Sequence, residues 1–180
     1  LGRLRHWGFN LLRLLTTWEA VEHAGPGRYD EAYLDYLVEV TRRAGQHGFH
    51  VFIDFHQDAW SRMTGGDGAP GWTFEAAGLD LTRFHRAGAA HVMQAKYDYA
   101  KGGRQDAYPQ MSWGGNNRLP AAAIMWTLFW GGRTFTPDFR VDGRNIQDVL
   151  QQAYLGAMRE VARRVRDLPN VLGFDTLNEP

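Results

Sequence analysis

Three short apolar runs, each bounded by glycine or polar residues, punctuate the chain. Residues 9–15 (FNLLRLL) follow Gly8, residues 49–55 (FHVFIDF) follow Gly48, and residues 171–177 (VLGFDTL) lead into Asn178, Glu179 and Pro180. Their apolar positions are consecutive rather than alternating. That predicts strands covered on both faces, as in a parallel sheet flanked by helices or closed into a barrel. Between them the period changes. The spacing predicts a helix over 30–47, where Leu34, Leu37, Val38 and Thr41 recur at i, i+3, i+4 and i+7. Arg42 and Arg43 suit the negative end of its dipole, and Gly48 stops it. A second helix is predicted over 145–167, with Ile146, Val149, Leu150, Ala153, Ala157, Val161 and Val165 on one face. Residues 121–130 are apolar and fit either helix or strand, and part of 84–100 reads as a helix. The order is strand, helix, strand, long insert (56–120), helix, strand. This is an α/β chain read as one domain, without internal repeat or linker composition.

Composition narrows the class. The 180 residues carry 20 Lys+Arg and 20 Asp+Glu, so there is no electrostatic footprint for nucleic acid, and no basic run suits an anionic membrane surface. At 44% hydrophobic residues the chain is no disordered segment and can bury a core. The absence of cysteine removes disulfides, a thiol nucleophile and thiolate zinc sites, but leaves the compartment open. The longest apolar runs fall far below the ~20 residues that span a bilayer. No leader peptide is visible, but the chain opens on Leu1 rather than Met, so localisation stays undetermined. Many of the 7 Trp cluster near Gly and His rather than in helical stripes, an arrangement compatible with stacking on pyranose faces as well as with ordinary anchoring.

Each predicted strand carries polar groups at or just past its C-terminal end: Arg13 on the first, His56, Gln57 and Asp58 on the second, Asn178 and Glu179 on the third. In parallel barrels that rim builds the active site. Glu179 is the sharpest candidate. Pro180 biases it toward an extended conformation, and a partly buried carboxyl there could serve as a general acid; the alternative is a solvated Glu before a turn. Arg13, inside an apolar run, needs a partner, either a catalytic carboxylate or a structural salt bridge. His56 and Asp58, two apart after a strand, could face the same side and bond sugar hydroxyls or ligate a metal. Asp54, within its strand, is expected to bond neighbouring backbone. The glycine-rich segment 65–71 lacks both the P-loop and the dinucleotide spacing and reads as a turn-rich lid or rim loop. No G-x-S-x-G element exists, which argues against an α/β-type serine hydrolase.

Together, Asn10-Leu11-Leu12-Arg13, Asp54-Phe55-His56-Gln57-Asp58 with Trp60-Ser61-Arg62, and Asn178-Glu179-Pro180 resemble glycoside hydrolase family 5, the cellulase-like (β/α)8 barrels. The stretches 65–77 and 121–132 resemble a narrower branch, that of endoglycoceramidase-like enzymes and fungal glucosylceramide- and sterylglucoside-cleaving β-glucosidases. The resemblance implies a retaining β-glycosidase with Glu179 as general acid/base and Asn178 on the sugar 2-hydroxyl. Arg13 would support the nucleophile, and His56, Asp58 and Trp130 would contact sugar. It implies a glycolipid or glucoside substrate, no metal and no organic cofactor. It names no specific protein partner and leaves room for peripheral contact with lipid aggregates or membranes.

The family's nucleophile is a Glu on the seventh strand, whereas these residues resemble strands two to four, with a long insert after the third. Residues 1–180 are therefore expected to be a partial catalytic domain lacking the first strand and the C-terminal half of the barrel. Alone, it is expected to self-associate through its edge strands and to have no hydrolase activity. Three other readings stay open. They are a β-glucan or oligosaccharide glycosidase of the same fold, a non-catalytic carbohydrate- or lipid-binding module, and a metal-dependent hydrolase using His56 and Asp58.

Overall fold

The computed structural model describes residues 1–98, 100, 102–108 and 113–179, Trp113 in its backbone only. In chain order it contains α1 (Gly2–His6), β1 (Leu11–Thr17), α2 (Trp18–Glu22), α3 (Glu31–Gln46), β2 (His50–His56), α4 (Trp72–Ala76), α5 (Pro120–Phe135), β3 (Arg140–Val141), β4 (Arg144–Asn145), α6 (Ile146–Val165) and β5 (Val171–Asp175). Short 3-10 segments lie at Arg62–Thr64, Leu81–Arg83 and Trp113–Arg118. The chain forms two compact units, Leu1–His56 with Tyr154–Pro180, and Gln57–Ala153. No described helix is long and apolar enough to cross a membrane.

The first unit is built on a parallel sheet in the order β1-β2-β5. This is the α/β arrangement that the apolar runs predict. The central strand is the enclosed one: Val51 and Ile53 are fully buried and Phe55 nearly so. Helix α3 lies against it and buries Leu34, Leu37 and Thr41 of the expected stripe together with Ala44, while Val38 is only partly buried. Asp30 caps α3 by accepting from the Tyr33 N–H at 2.9 Å. At the other end Gly48 takes φ +74°, a conformation that ends a helix at little cost only for glycine.

The flanking strands depart from expectation. β1 ends at Thr17 rather than at residue 15, because Thr16 and Thr17 are β-branched and extend the pairing opposite Phe55 and His56. Thr17 then accepts from the Ala20 N–H at 3.2 Å and caps α2. Arg13 is therefore a mid-strand residue, not a residue of the strand's end. β1 and β5 are also not covered on both faces: Leu11, Leu15 and Leu172 are all half-exposed or more. Each pairs on one side only within the described residues, so β2 alone meets the burial expected of all three.

In the second unit, the ambiguous stretch 121–130 is helical. Pro120 opens α5 at a position where its missing N–H is not needed. The expected helix within 84–100 does not form over its described part. Gly88 sits at φ +63°, and side chains from elsewhere satisfy the backbone there. Asn116 accepts from His91 N–H (2.6 Å) and donates to its carbonyl (3.0 Å), while Gln105 accepts from the N–H groups of Ala95 (2.7 Å) and Lys96 (3.0 Å). Asp142 and Gly143, both at positive φ, make the tight turn joining β3 and β4, as a two-residue hairpin requires.

Candidate active site

Directly paired residues of a parallel sheet share a face, and the period of two extends that face along each strand. Arg13 is paired with Phe52, Leu15 with Asp54, and Asp54 with Asp175. Arg13, Asp54, His56 and Asp175 therefore project from one side of the sheet. Arg13 Nη2 donates to Asn178 Oδ1 at 2.8 Å and lies 3.0 Å from Asp54 Oδ2 and 3.3 Å from Asp175 Oδ2. Asp54 Oδ2 also receives His56 Nδ1 at 2.7 Å. The Asp54 side chain is 0% exposed and that of Arg13 46%. A carboxylate buried in a central strand is tolerated only against cations or donors, and Arg13 and His56 both converge on the same oxygen. The other oxygen, Oδ1, takes no hydrogen bond from a described residue. With Nδ1 occupied by Asp54, only Nε2 of His56 could serve as a metal ligand.

A second group of contacts ties down the segment after β5. The Tyr154 hydroxyl donates to the Thr176 carbonyl at 2.5 Å, and the Asn178 N–H donates to the Phe55 carbonyl at 3.4 Å. Tyr154 is buried with its ring edge-on to Trp18 at 5.5 Å. Burial first, then the charges of Asp175 and Asp54, push its phenol above the ordinary tyrosine range, so it remains a proton donor. Trp18 in turn donates to Glu22 Oε2 at 2.6 Å, while the Gly27 N–H donates to Oε1 at 2.5 Å. Burial raises the Glu22 carboxyl above its usual range, and these two bonds oppose the rise.

Glu179 departs from its expected state in two ways. It is exposed rather than partly buried, and it sits at φ +43° rather than extended. β5 stops at Asp175; beyond it Tyr154 bonds the Thr176 carbonyl and Arg13 the Asn178 side chain, and Glu179 does not take the extended conformation that a following proline favours. Pro180 itself lies outside the described residues. A left-handed glutamate is unfavourable by about 1 kcal/mol, a conformation found where surrounding contacts impose it.

Asp58 and Trp130 belong to the second unit. Pairing along β2 ends at His56, and Asp58 instead exchanges backbone hydrogen bonds with Asp67 (3.1 and 3.0 Å). Ala59 and Trp60 follow at φ +48° and +74°. Gly66 is obligatory beneath this turn, since a Cβ there would lie 1.7 Å from the Asp58 carbonyl oxygen. Trp60 is buried, donates to Thr73 Oγ1 at 3.1 Å, and meets Trp126 and Phe129 edge-on. Trp130 is 54% exposed and parallel to Trp126 at 6.5 Å, so part of its indole faces solvent.

The structure thus brings Arg13, His56 and Asn178 into one network, with Glu179 the next residue. The residue that joins them, Asp54, contradicts its sequence reading: it bonds side chains, not neighbouring backbone. Its signal was an acidic residue two positions before a histidine in an otherwise apolar strand, a spacing that puts both on one face. Asp175 offered less, an acidic residue in the apolar run of β5 with no histidine beside it. Tyr154 carried none, because it reads as one more apolar position of α6.

Residues 2–101 match the family model described as cellulase, glycosyl hydrolase family 5. A glucosylceramidase of Aspergillus fumigatus is 45% identical over 184 residues, covering 99% of this chain and 24% of its own length. An ergosteryl-beta-glucosidase of Saccharomyces cerevisiae is 40% identical, covering 99% of this chain and 25% of its own. The crystal structure of Cryptococcus neoformans sterylglucosidase 1 matches with a TM-score of 0.88 at 44% identity, over 99% of this chain and 25% of that one. The chain spans about a quarter of the length of these relatives. Its parallel strands and helical crossovers are part of a (β/α)8 barrel.

Proposed function

Because this chain belongs to glycosyl hydrolase family 5, we propose that it carries part of the catalytic domain of a retaining β-glycosidase acting on glucosylated lipids, such as a glucosylceramide or a steryl glucoside. One arrangement supports the reading most directly: Arg13 on β1 bonded to Asn178 at 2.8 Å, with Glu179 the next residue beyond β5. In the retaining mechanism two carboxyl groups about 5–5.5 Å apart flank the glycosidic bond. Glu179 is the general acid that protonates the leaving oxygen, and then the base that activates water. The nucleophile is a second carboxylate outside these 180 residues, held ionised by Arg13. Glu22 does not qualify, being engaged by Trp18 and Gly27. Asn178 bonds the sugar 2-hydroxyl, His56 and Asp58 contact the sugar of the cleaved glucosyl unit, and Trp130 is a candidate for sugar contact. Such substrates reside in lipid aggregates, so peripheral contact with those belongs to the same proposal.

The test is turnover of an aryl β-glucoside, a glucosylceramide and a steryl glucoside by the full-length protein and its Glu179→Gln variant. Loss of the acid lowers kcat roughly 10²–10⁴-fold, least on the aryl glucoside, whose leaving group needs little protonation. An undiminished rate for Glu179→Gln on all three substrates overturns the reading. Turnover of soluble β-glucans in preference to both lipids keeps the glycosidase and removes the substrate class.

A further inference from the structure

We propose that Asp54 is the positioning residue of this site: one buried oxygen sets the hydrogen-bonding direction of His56 and, through Arg13, of Asn178. Asp54 lies in the central strand, paired on both sides, so its backbone has little freedom to shift. Its Oδ2 faces His56 Nδ1 at 2.7 Å and Arg13 Nη2 at 3.0 Å. A carboxylate only accepts, so Nδ1 carries hydrogen in both charge states of the ring, and the ring gains and loses its proton at Nε2. Arg13 has only donors. Held against Asp54 and Asp175, it takes the Asn178 side-chain oxygen at 2.8 Å, which makes Nδ2 the donor end of that amide. Asp54 therefore fixes the ring tautomer directly and, together with Asp175, holds the arginine that sets the amide orientation, two choices that a histidine and an asparagine otherwise leave open. Asp54, fully buried, touches no sugar itself; it acts through residues proposed to do so. Of the charged groups in this unit, Asp54 bonds His56 directly, and Arg13 and Asp175 project from the same face of the sheet.

The kinetic consequence rests on the glycosidase reading; the ring tautomer does not. The experiment therefore has two arms, both on the full-length protein. In the first, 15N NMR follows the histidine ring nitrogens through a pH titration, with His56 assigned by its disappearance in His56→Gln. Nδ1 is expected to stay protonated throughout while Nε2 moves. A neutral ring protonated at Nε2 overturns the proposal, and this arm needs no Asp54 variant to fold. In the second, Asp54→Asn is expected to lower kcat/KM on a β-glucoside about ten- to a hundredfold, the range of a lost charge-assisted hydrogen bond. The same substitution made in His56→Gln is expected to lower it by several-fold less, as coupled residues do. Equal losses in both backgrounds indicate a structural role and overturn the proposal. If the wild-type protein hydrolyses no β-glucoside, the functional reading falls, and the NMR arm still decides the role of Asp54.

Discussion

Removing one oxygen from Tyr154 isolates the contact that holds the turn after β5. Tyr154→Phe deletes the hydroxyl that donates to the Thr176 carbonyl at 2.5 Å and leaves the ring edge-on to Trp18. No large cavity opens, so the effect is that of the hydrogen bond. Such a bond is worth about 1 kcal/mol net, and about 1–3 kcal/mol when the abandoned partner stays buried. Thr176 is exposed, so water can take over its carbonyl, and the lower end of that range applies: about 1 kcal/mol of stability. Burial and the charges of Asp175 and Asp54 hold the phenol above its ordinary range, so the loss is constant through neutral pH. Urea unfolding of the full-length protein reads it as a lower midpoint at unchanged slope. The same turn carries Asn178 and Glu179. If the freed segment forfeits that ~1 kcal/mol in the transition state, kcat/KM on a β-glucoside falls about fivefold. An unchanged midpoint together with wild-type turnover would refute the claim that Tyr154 holds the segment that carries Asn178 and Glu179.

Two further substitutions probe buried polar structure. Glu22→Gln removes a carboxyl whose titration is raised by burial, so its contribution to wild-type stability is present below the usual glutamate range and is lost as pH rises through the raised value. The stability difference between variant and wild type should therefore move in the variant's favour as pH rises above the usual glutamate range; a difference flat with pH contradicts the assignment. Gly66→Ala places a Cβ 1.7 Å from the Asp58 carbonyl oxygen and must displace the bridge to Asp67. Thermal unfolding should show a loss of about 3 kcal/mol, the upper range for overpacking, and a loss below about 0.5 kcal/mol would mean the bridge yields freely.

The repeating elements were legible because their causes are local. A stripe at 3.6-residue spacing and a glycine stop placed α3 within a residue at each end, and apolar runs located all three strands of the parallel sheet. Residues 84–98 show where that logic stops. Their pattern suits a helix, but Gly88 breaks it and the side chains of Gln105 and Asn116 satisfy the backbone from other parts of the chain. No window of sequence contains both halves of that contest.

The site divides in the same way. Sequence alone placed an arginine, a histidine and an asparagine–glutamate pair on three strands, together with the family they resemble. It could not say that Arg13 meets Asn178, because the two stand 165 residues apart and only the sheet order brings them together. Nor could it show Asp54 as the shared partner. A buried charge reads as an anomaly until its counter-ions are known, and here they come from β1 and from its own strand two residues on. The left-handed Glu179 likewise belongs to the tertiary structure. A following proline favours an extended residue, whereas Glu179 has a positive φ just past a segment bonded by Tyr154 and Arg13, residues far from the motif in sequence. Local spacing picked out the candidate residues. Which of them touch, and which way their donors point, depended on long-range packing, whose partners no local pattern records.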